Sequence, residues 1–159
     1  MNHHPQLVLY EADAKVIQGV VDRLRDEALA RAVFLIDKDG QVIGASGDTK
    51  DLDVTSLATL AAGNIAASGV IAELLQEREF TTQYHEGERA NLHVQIIQGR
   101  VILLVVFDHR SSLGLVRLRS RRATLELVGW LASLSEAPAE GLPAMPEITD
   151  ADIDRLFND

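Results

Sequence analysis

The sequence predicts an α+β domain in which helices cover an antiparallel sheet, with the element order α-β-β-α-β-β-β-α. Three observations predict this fold class. Apolar residues recur with helical spacing at the start, in the middle and towards the end of the first 135 residues. Short apolar segments are joined by Gly-containing turns, and hairpins make neighbouring strands antiparallel. The segment Val101–Phe107 is apolar at every position, which indicates a central strand covered on both faces.

Each element follows from a local pattern. A first helix, whose charged residues lie mostly off its apolar stripe, leads into two strands joined by Asp39-Gly40, a strong hairpin signal. The carboxylate of Asp53 can cap the central helix. Three more strands are separated by turns at 86–88 and 98–99, and Ser111 or Ser112 can cap a last long helix. The predicted bounds, in order, are 10–30, 31–37, 41–46, 53–76, 80–85, 90–97, 101–107 and about 111–134.

The composition changes after residue 135, where prolines and a glycine accumulate. We therefore expect a domain over 1–135, a flexible linker over 136–147 and a short helix over 148–159. The apolar residues of this tail have helical spacing: Ile153, Leu156 and Phe157. Two interpretations stay open, namely a helix that docks in a partner's groove and a frayed helix in a disordered acidic end.

Charge and cysteine content exclude several classes of protein. A net charge of −9 and a pI near 4.9 argue against nucleic acid or an anionic membrane as the main partner. The absence of cysteine excludes a disulfide scaffold and thiolate chemistry, and it fits a cytoplasmic location. The first 13 residues lack the basic and apolar regions of a secretory signal.

Enzymatic signals are weak. The histidines show no metal-ligand spacing beyond the adjacent His3 and His4, and no Gly-x-Ser-x-Gly elbow occurs. The segment 44–50 does not match a phosphate-binding loop and is interpreted as a hairpin exit. We therefore expect no catalytic residue, no metal and no cofactor in this chain.

The central helix is unusual because its only charge after Asp53 is Glu73. A helix that is apolar all round is buried on both sides. One stripe is predicted to face the core: Leu57, Leu60, Asn64, Ser68, Ile71 and Leu75. The opposite stripe is small and uncharged: Thr59, Ala62, Ala66, Gly69 and Val70. We expect this second stripe to meet another chain, most simply a copy related by a two-fold axis, the alternative being cover by a loop of the same chain.

Arginines gather near the last helix: Arg110, Arg117, Arg119, Arg121 and Arg122. The simplest interpretation is a solvated helix face paired with acids. Arg110 alone lies in a predicted loop, so it is the one candidate for an arginine finger in phosphoryl transfer.

Four segments together resemble the roadblock/dynein light chain family: SLATLAAGNIAASG, HEGER, VVFDHRSSLGLVRLR and EITDADIDRLF. The resemblance extends from Leu7 to Phe157. It implies a five-stranded antiparallel sheet with one helix on one side and two on the other, and a homodimer formed through the central helices. It also implies a cytoplasmic regulator, with a cell pole as one location, that stimulates GTP hydrolysis by a Ras-like GTPase of the MglA type in cell polarity and motility. GTP and Mg²⁺ would belong to that GTPase.

The resemblance also implies roles for particular residues. Catalysis would rely on the GTPase's own residues, which weakens the arginine-finger hypothesis for Arg110. The tail residues Ile153, Leu156 and Phe157 would dock on a separate face of the GTPase and promote nucleotide exchange. With the small stripe, the expected dimer and GTPase surface comprises Thr59, Ala62, Gly63, Ala66, Ala67, Gly69, Val70 and Glu73.

Two other functions stay open from the sequence. A scaffold would bind a GTPase or another roadblock protein through the same surface without changing turnover. A small-ligand sensor would need a cavity with convergent polar groups. The candidates for such groups are Asn64 and Ser68, which we expect instead to form hydrogen bonds within the helix packing.

Overall fold

The structure, a computed structural model, describes residues 7–136 together with Ala151 and Arg155. Within 7–136, three helices and five strands occur in the predicted order. Their bounds are α1 Glu11–Glu27, β1 Ala32–Asp37, β2 Val42–Gly47, α2 Val54–Leu74, β3 Thr82–Glu86, β4 Asn91–Ile97, β5 Val101–Phe107 and α3 Leu113–Glu136. Most of the predicted linker and the three apolar residues of the predicted tail helix lie outside the described residues.

The strands form one antiparallel sheet in the order β2-β1-β5-β4-β3. All seven residues of β5 are buried, and this strand lies at the centre, between β1 and β4. The prediction from its uninterrupted apolar sequence is confirmed, because a strand with a covered face on each side has no position for a polar residue. The α+β fold class is confirmed as well.

One face of the sheet is covered by α1 and α3. Ile17 and Val21 of α1 share a core there with Leu127 of α3. The indole Nε1 of Trp130 donates a hydrogen bond of 3.0 Å to Asp13 Oδ1, which links the two helices. The opposite face is covered by α2, so the expected division of one helix against two is found.

The β1–β2 hairpin places its turn directly against α2. Asp37 Oδ1 accepts the backbone N–H groups of Asp39 and Gln41, each at 2.9 Å, which fixes the turn. Gly40 has φ +86°, and a Cβ on it would lie 3.0 Å from Thr59 Cα. Glycine is therefore required there both by the turn and by the close approach of the helix.

Candidate partner-binding surface

Both ends of α2 are fixed by hydrogen bonds. The Asp53 carboxylate accepts the N–H of Ser56 at 3.1 Å and its hydroxyl at 2.6 Å, so the predicted cap is confirmed. These two bonds lower the pKa of Asp53. After α2, Gln76 adopts a left-handed conformation with φ 61°, and the Glu77 N–H donates to the Ala72 carbonyl at 2.9 Å. This arrangement satisfies carbonyls that the helix end would otherwise leave unpaired.

The face of α2 that lies on the sheet consists mainly of alanine. Four of its residues are buried: Ala58, Ala61, Ala62 and Ala72. Three of these, Ala58, Ala61 and Ala62, share a core with large side chains of the sheet such as Phe34 and Leu104. Because large side chains of the sheet supply most of this core, the helix contributes mainly methyl groups to it.

The predicted core stripe of α2 was wrong at four positions, since Asn64 is exposed as well as three large apolar residues. Leu60, Ile71 and Leu75 are 72%, 52% and 63% exposed. The alanines have helical spacing too, and they pack on the large side chains of the sheet, so the helix turns these three residues outwards. Leu57 is half-buried and does pack against this core.

Asn64 and Ser68 form hydrogen bonds beside the helix, as expected. Ser68 Oγ donates to Asn64 Oδ1 at 3.3 Å, and Gln83 Nε2 donates to Ser68 Oγ at 2.8 Å. The second bond joins α2 to β3, which is an edge strand of the sheet. These polar atoms therefore fix the position of the helix on the sheet.

The residues expected to bind a partner divide by burial. Ala62 is 9% exposed and packs on the sheet, so its placement on the outer side was wrong. Gly69 is half-buried. A Cβ added at Gly63 would meet no atom within 4 Å, so the space above it is open. The remaining expected residues are exposed, along with Gly63: Thr59, Ala66, Ala67, Val70 and Glu73.

The solvent side of α2 is a continuous apolar surface. We define the outer face of α2 as Leu60, Gly63, Ala67, Val70, Ile71 and Leu74. Its large side chains are between 52% and 79% exposed. Leu74, the most exposed of them, was missed by the sequence analysis, although Leu60, Ala67 and Leu74 are spaced by seven residues. Contiguous exposed apolar surface of this kind is typical of interaction sites.

By length and composition alone, α2 is also apolar enough to cross a membrane. One such helix is weak evidence of a span, and this one rests on the sheet through its alanine face. The exposed apolar surface is therefore more simply explained by a protein that covers it.

A cavity of about 240 Å³ lies between α2 and the sheet. Ile65 of α2 and Ile102 of β5 contribute to its apolar lining, and Lys38 and Glu79 supply charged groups. Asn64 and Ser68, the polar residues considered for a sensor pocket, are not among its lining residues. The small-ligand hypothesis thus has a cavity, but without the polar groups proposed for it.

The arginine-finger candidate lies away from α2. Arg110 Nε and Nη2 donate to Asp108 Oδ1 and Oδ2 at 3.0 and 2.9 Å. These bonds lower the pKa of Asp108 to about 2 and raise that of Arg110. Arg110 borders a surface depression with Arg25 and Leu29 at the end of α1, on the opposite side of the sheet. Among the described residues, no group of three potential metal ligands comes together.

Comparison with known proteins decides the family. Residues 16–107 match the Roadblock/LC7 domain. The chain belongs to the Roadblock/LC7 family. No match was found among curated protein sequences.

Solved structures of MglB proteins resemble this roadblock protein over most of its length. MglB of Myxococcus xanthus is 49% identical, with a TM-score of 0.78, over 82% of this chain and 98% of that one. The gliding protein MglB of Thermus thermophilus is 36% identical, with a TM-score of 0.74, over 79% of this chain and 96% of that one. A structure described as MglB with a tetrameric arrangement is also 36% identical, with a TM-score of 0.74, over 79% of this chain and 95% of that one. The resemblance to the roadblock family that the sequence indicated is confirmed.

Proposed function

We propose that this roadblock protein is a homodimeric regulator of a small Ras-like GTPase of the MglA type, and that it stimulates GTP hydrolysis. The observation that carries the proposal is the outer face of α2, an exposed apolar surface on a chain that is 49% identical to Myxococcus MglB. A surface with large side chains more than half exposed needs a protein partner to remove it from water.

The spacing along the outer face fits a two-fold antiparallel pairing of α2 with its copy. Ala67 lies midway between Leu60 and Leu74, seven residues from each. A two-fold axis at Ala67 brings Leu60 of each copy against Leu74 of the other. Gly63 and Ala67 are small, so the two helix backbones can approach closely. One patch then serves both copies and covers the most exposed apolar side chains.

A second row of exposed residues lies beside the outer face, and we assign it to the GTPase. Thr59, Ala66 and Glu73 are also spaced by seven residues, and they are displaced around the helix from Leu60, Ala67 and Leu74. In the antiparallel pair this row lies beside the contact between the two helices and stays exposed. The dimer thus presents two such rows to a third chain, and each row has one carboxylate, that of Glu73, at its end.

The regulator acts in this proposal by binding and without chemistry of its own. Residues 54–74 contain no lysine and no arginine that could reach a transferred phosphoryl group. A bound protein shifts a conformational equilibrium only when it has different affinities for the two states. Preference for the switch conformation that positions the attacking water therefore accelerates hydrolysis by the GTPase's own residues.

The test is phosphate release by the cognate GTPase with the wild-type protein, Ala66→Arg and Ala14→Arg. Ala66 and Ala14 are both exposed helical alanines, and Ala14 lies on α1, on the other side of the sheet. We expect stimulation by the wild type and by Ala14→Arg, and its loss with Ala66→Arg.

Complex formation is measured in the same samples. If the wild-type protein binds the GTPase and the rate of hydrolysis is unchanged, the protein is a scaffold and not an activator. Equal stimulation by both arginine variants would contradict the assignment of the Ala66 row.

The tail provides a second contact in this proposal. Three apolar residues have the spacing of one helical face, a pattern that suits docking in a groove of the GTPase: Ile153, Leu156 and Phe157. Deletion of residues 147–159 should slow nucleotide exchange on the GTPase. Unchanged exchange and unchanged affinity would refute the docking role.

We further propose that this activity serves cell polarity and motility from the cytoplasm, with a cell pole as the site of concentration. A fluorescent fusion expressed at native level tests the location. Uniform fluorescence would contradict concentration at a pole.

A further inference from the structure

The exposed side of α3 carries an apolar stripe of its own. Leu118 and Leu125 are 57% and 73% exposed and lie seven residues apart on one side of the helix. Gly114 and Gly129 extend this row at either end, and a Cβ added at either glycine would meet no atom within 4 Å. We call these four residues the α3 stripe. No part of residues 7–136 covers it.

Arginines border the α3 stripe, although the whole chain carries a net charge of −9. Four occur within six positions: Arg117, Arg119, Arg121 and Arg122. Arg119 lies 4.0 Å from Glu27, and Arg122 lies 3.8 Å from Glu126. Arg117 and Arg121 are exposed and form no ion pair with another described residue. The surface therefore offers an apolar centre with unpaired positive charge beside it.

Residues 147–159 have the complementary composition. Arg155 is their one basic residue, and they contain five acids: Glu147, Asp150, Asp152, Asp154 and Asp159. The two described residues of this segment, Ala151 and Arg155, are helical and exposed. On a helix that contains them, Ile153, Leu156 and Phe157 fall on the other side. The segment is thus an acidic amphipathic sequence, complementary in composition to the basic apolar surface of α3.

The chain can reach back to the stripe. α3 continues to Glu136, 11 residues beyond Leu125, which is about 17 Å at 1.5 Å per residue. Residues 137–146 can span up to about 33 Å when extended. A helix of 13 residues is about 20 Å long, close to the roughly 22 Å from Gly114 to Gly129 along α3. The linker is therefore long enough to lay residues 147–159 along the stripe of the same chain.

We propose that residues 147–159 dock on the α3 stripe of their own chain. Ile153, Leu156 and Phe157 cover Leu118 and Leu125. The carboxylates of the segment lie beside Arg117 and Arg121. The docked segment hides its apolar triplet, so any other partner of the tail must first displace it from α3.

The test uses residues 1–159, which contain no cysteine and so accept one spin label at Asn158→Cys. Amide NMR signals of residues 118, 121 and 125 should lose intensity through paramagnetic relaxation, while those of residues 60, 67 and 74 on α2 keep theirs. The double variant Arg117→Glu/Arg121→Glu should restore the lost intensity. Higher ionic strength should do so in part, because salt screens exposed charges. The same measurement with the label at Asp159→Cys checks that the label at residue 158 does not itself disturb the contact.

The control is Arg78→Glu/Arg89→Glu, which changes the net charge equally at two exposed arginines outside α3 and should leave the effect intact. The charge of the tail can be reversed as well, with Asp150→Arg, Asp152→Arg and Asp154→Arg. In the Arg117→Glu/Arg121→Glu variant this second reversal should restore the contact. Three outcomes overturn the proposal. The signals of α2 could lose intensity instead of those of α3, or all signals could lose a little intensity equally. Alternatively, the loss at α3 could arise only when a labelled copy is mixed with an unlabelled one, so that the contact runs between copies. No GTPase is present, so the result is independent of the proposed GTPase function.

Discussion

Truncation of Leu74 tests whether the outer face of α2 pairs two copies of this chain. Leu74 is 79% exposed in the single chain, so Leu74→Ala should hardly change the stability of the monomer fold. In the proposed dimer its side chain is buried against the other copy. Removing three carbons at about 0.8 kcal/mol each, scaled by that exposure, costs about 2 kcal/mol per copy.

Both copies lose the contact, so the dimer should lose about 4 kcal/mol, or roughly a thousandfold in dissociation constant. Sedimentation equilibrium or mass photometry over a concentration series measures this shift. Leu29→Ala is the matched control, because Leu29 is 55% exposed and directly follows α1, on the opposite side of the sheet. A dissociation constant for Leu74→Ala equal to that of the control would refute the pairing.

Three further predictions concern the fold that holds this surface, and urea denaturation checks each of them. Gln76→Gly should raise the free energy of unfolding by up to about 1 kcal/mol, because Gln76 has φ 61° and glycine tolerates the left-handed region. Gly40→Ala should lower it by about 1–3 kcal/mol, since φ is +86° and the new methyl would lie 3.0 Å from Thr59 Cα. The control Gly19→Ala, in open space within α1, should instead add about 0.5–1 kcal/mol. Burial, and then the charge of Arg117, lower the pKa of His93 below its ordinary 6.5. On acidification, His93 therefore takes up its proton at a higher pH in the unfolded chain than in the folded chain. The free energy of unfolding should fall as the pH falls from about 6.5 towards the pKa of the folded state, and His93→Gln should weaken this pH dependence.

The sheet could be predicted from the sequence because its signals are local. Seven consecutive apolar residues specify β5 as the central strand, and Asp39-Gly40 specifies a tight hairpin. Asp53 marks the start of α2 for the same reason, since a capping carboxylate acts within one helical turn. These features depend on neighbouring residues alone.

The orientation of α2 could not be predicted in this way. A helix that is apolar on every side has no polar face to show which side meets solvent. The orientation of the helix depended on the sheet, whose large side chains Phe34 and Leu104 share a core with the alanines of α2. The helix therefore buries alanines such as Ala62 and turns Leu60 outwards, the reverse of what side-chain size suggested.

The most direct test of the proposed function is a titration of the wild-type protein into a GTP-loaded MglA-type GTPase, with phosphate release as the readout. We expect a saturable acceleration whose plateau is reached at two copies of this chain per GTPase. A rate that stays at the intrinsic value at every concentration, while the two proteins form a complex, would contradict the claim that this roadblock protein activates its GTPase.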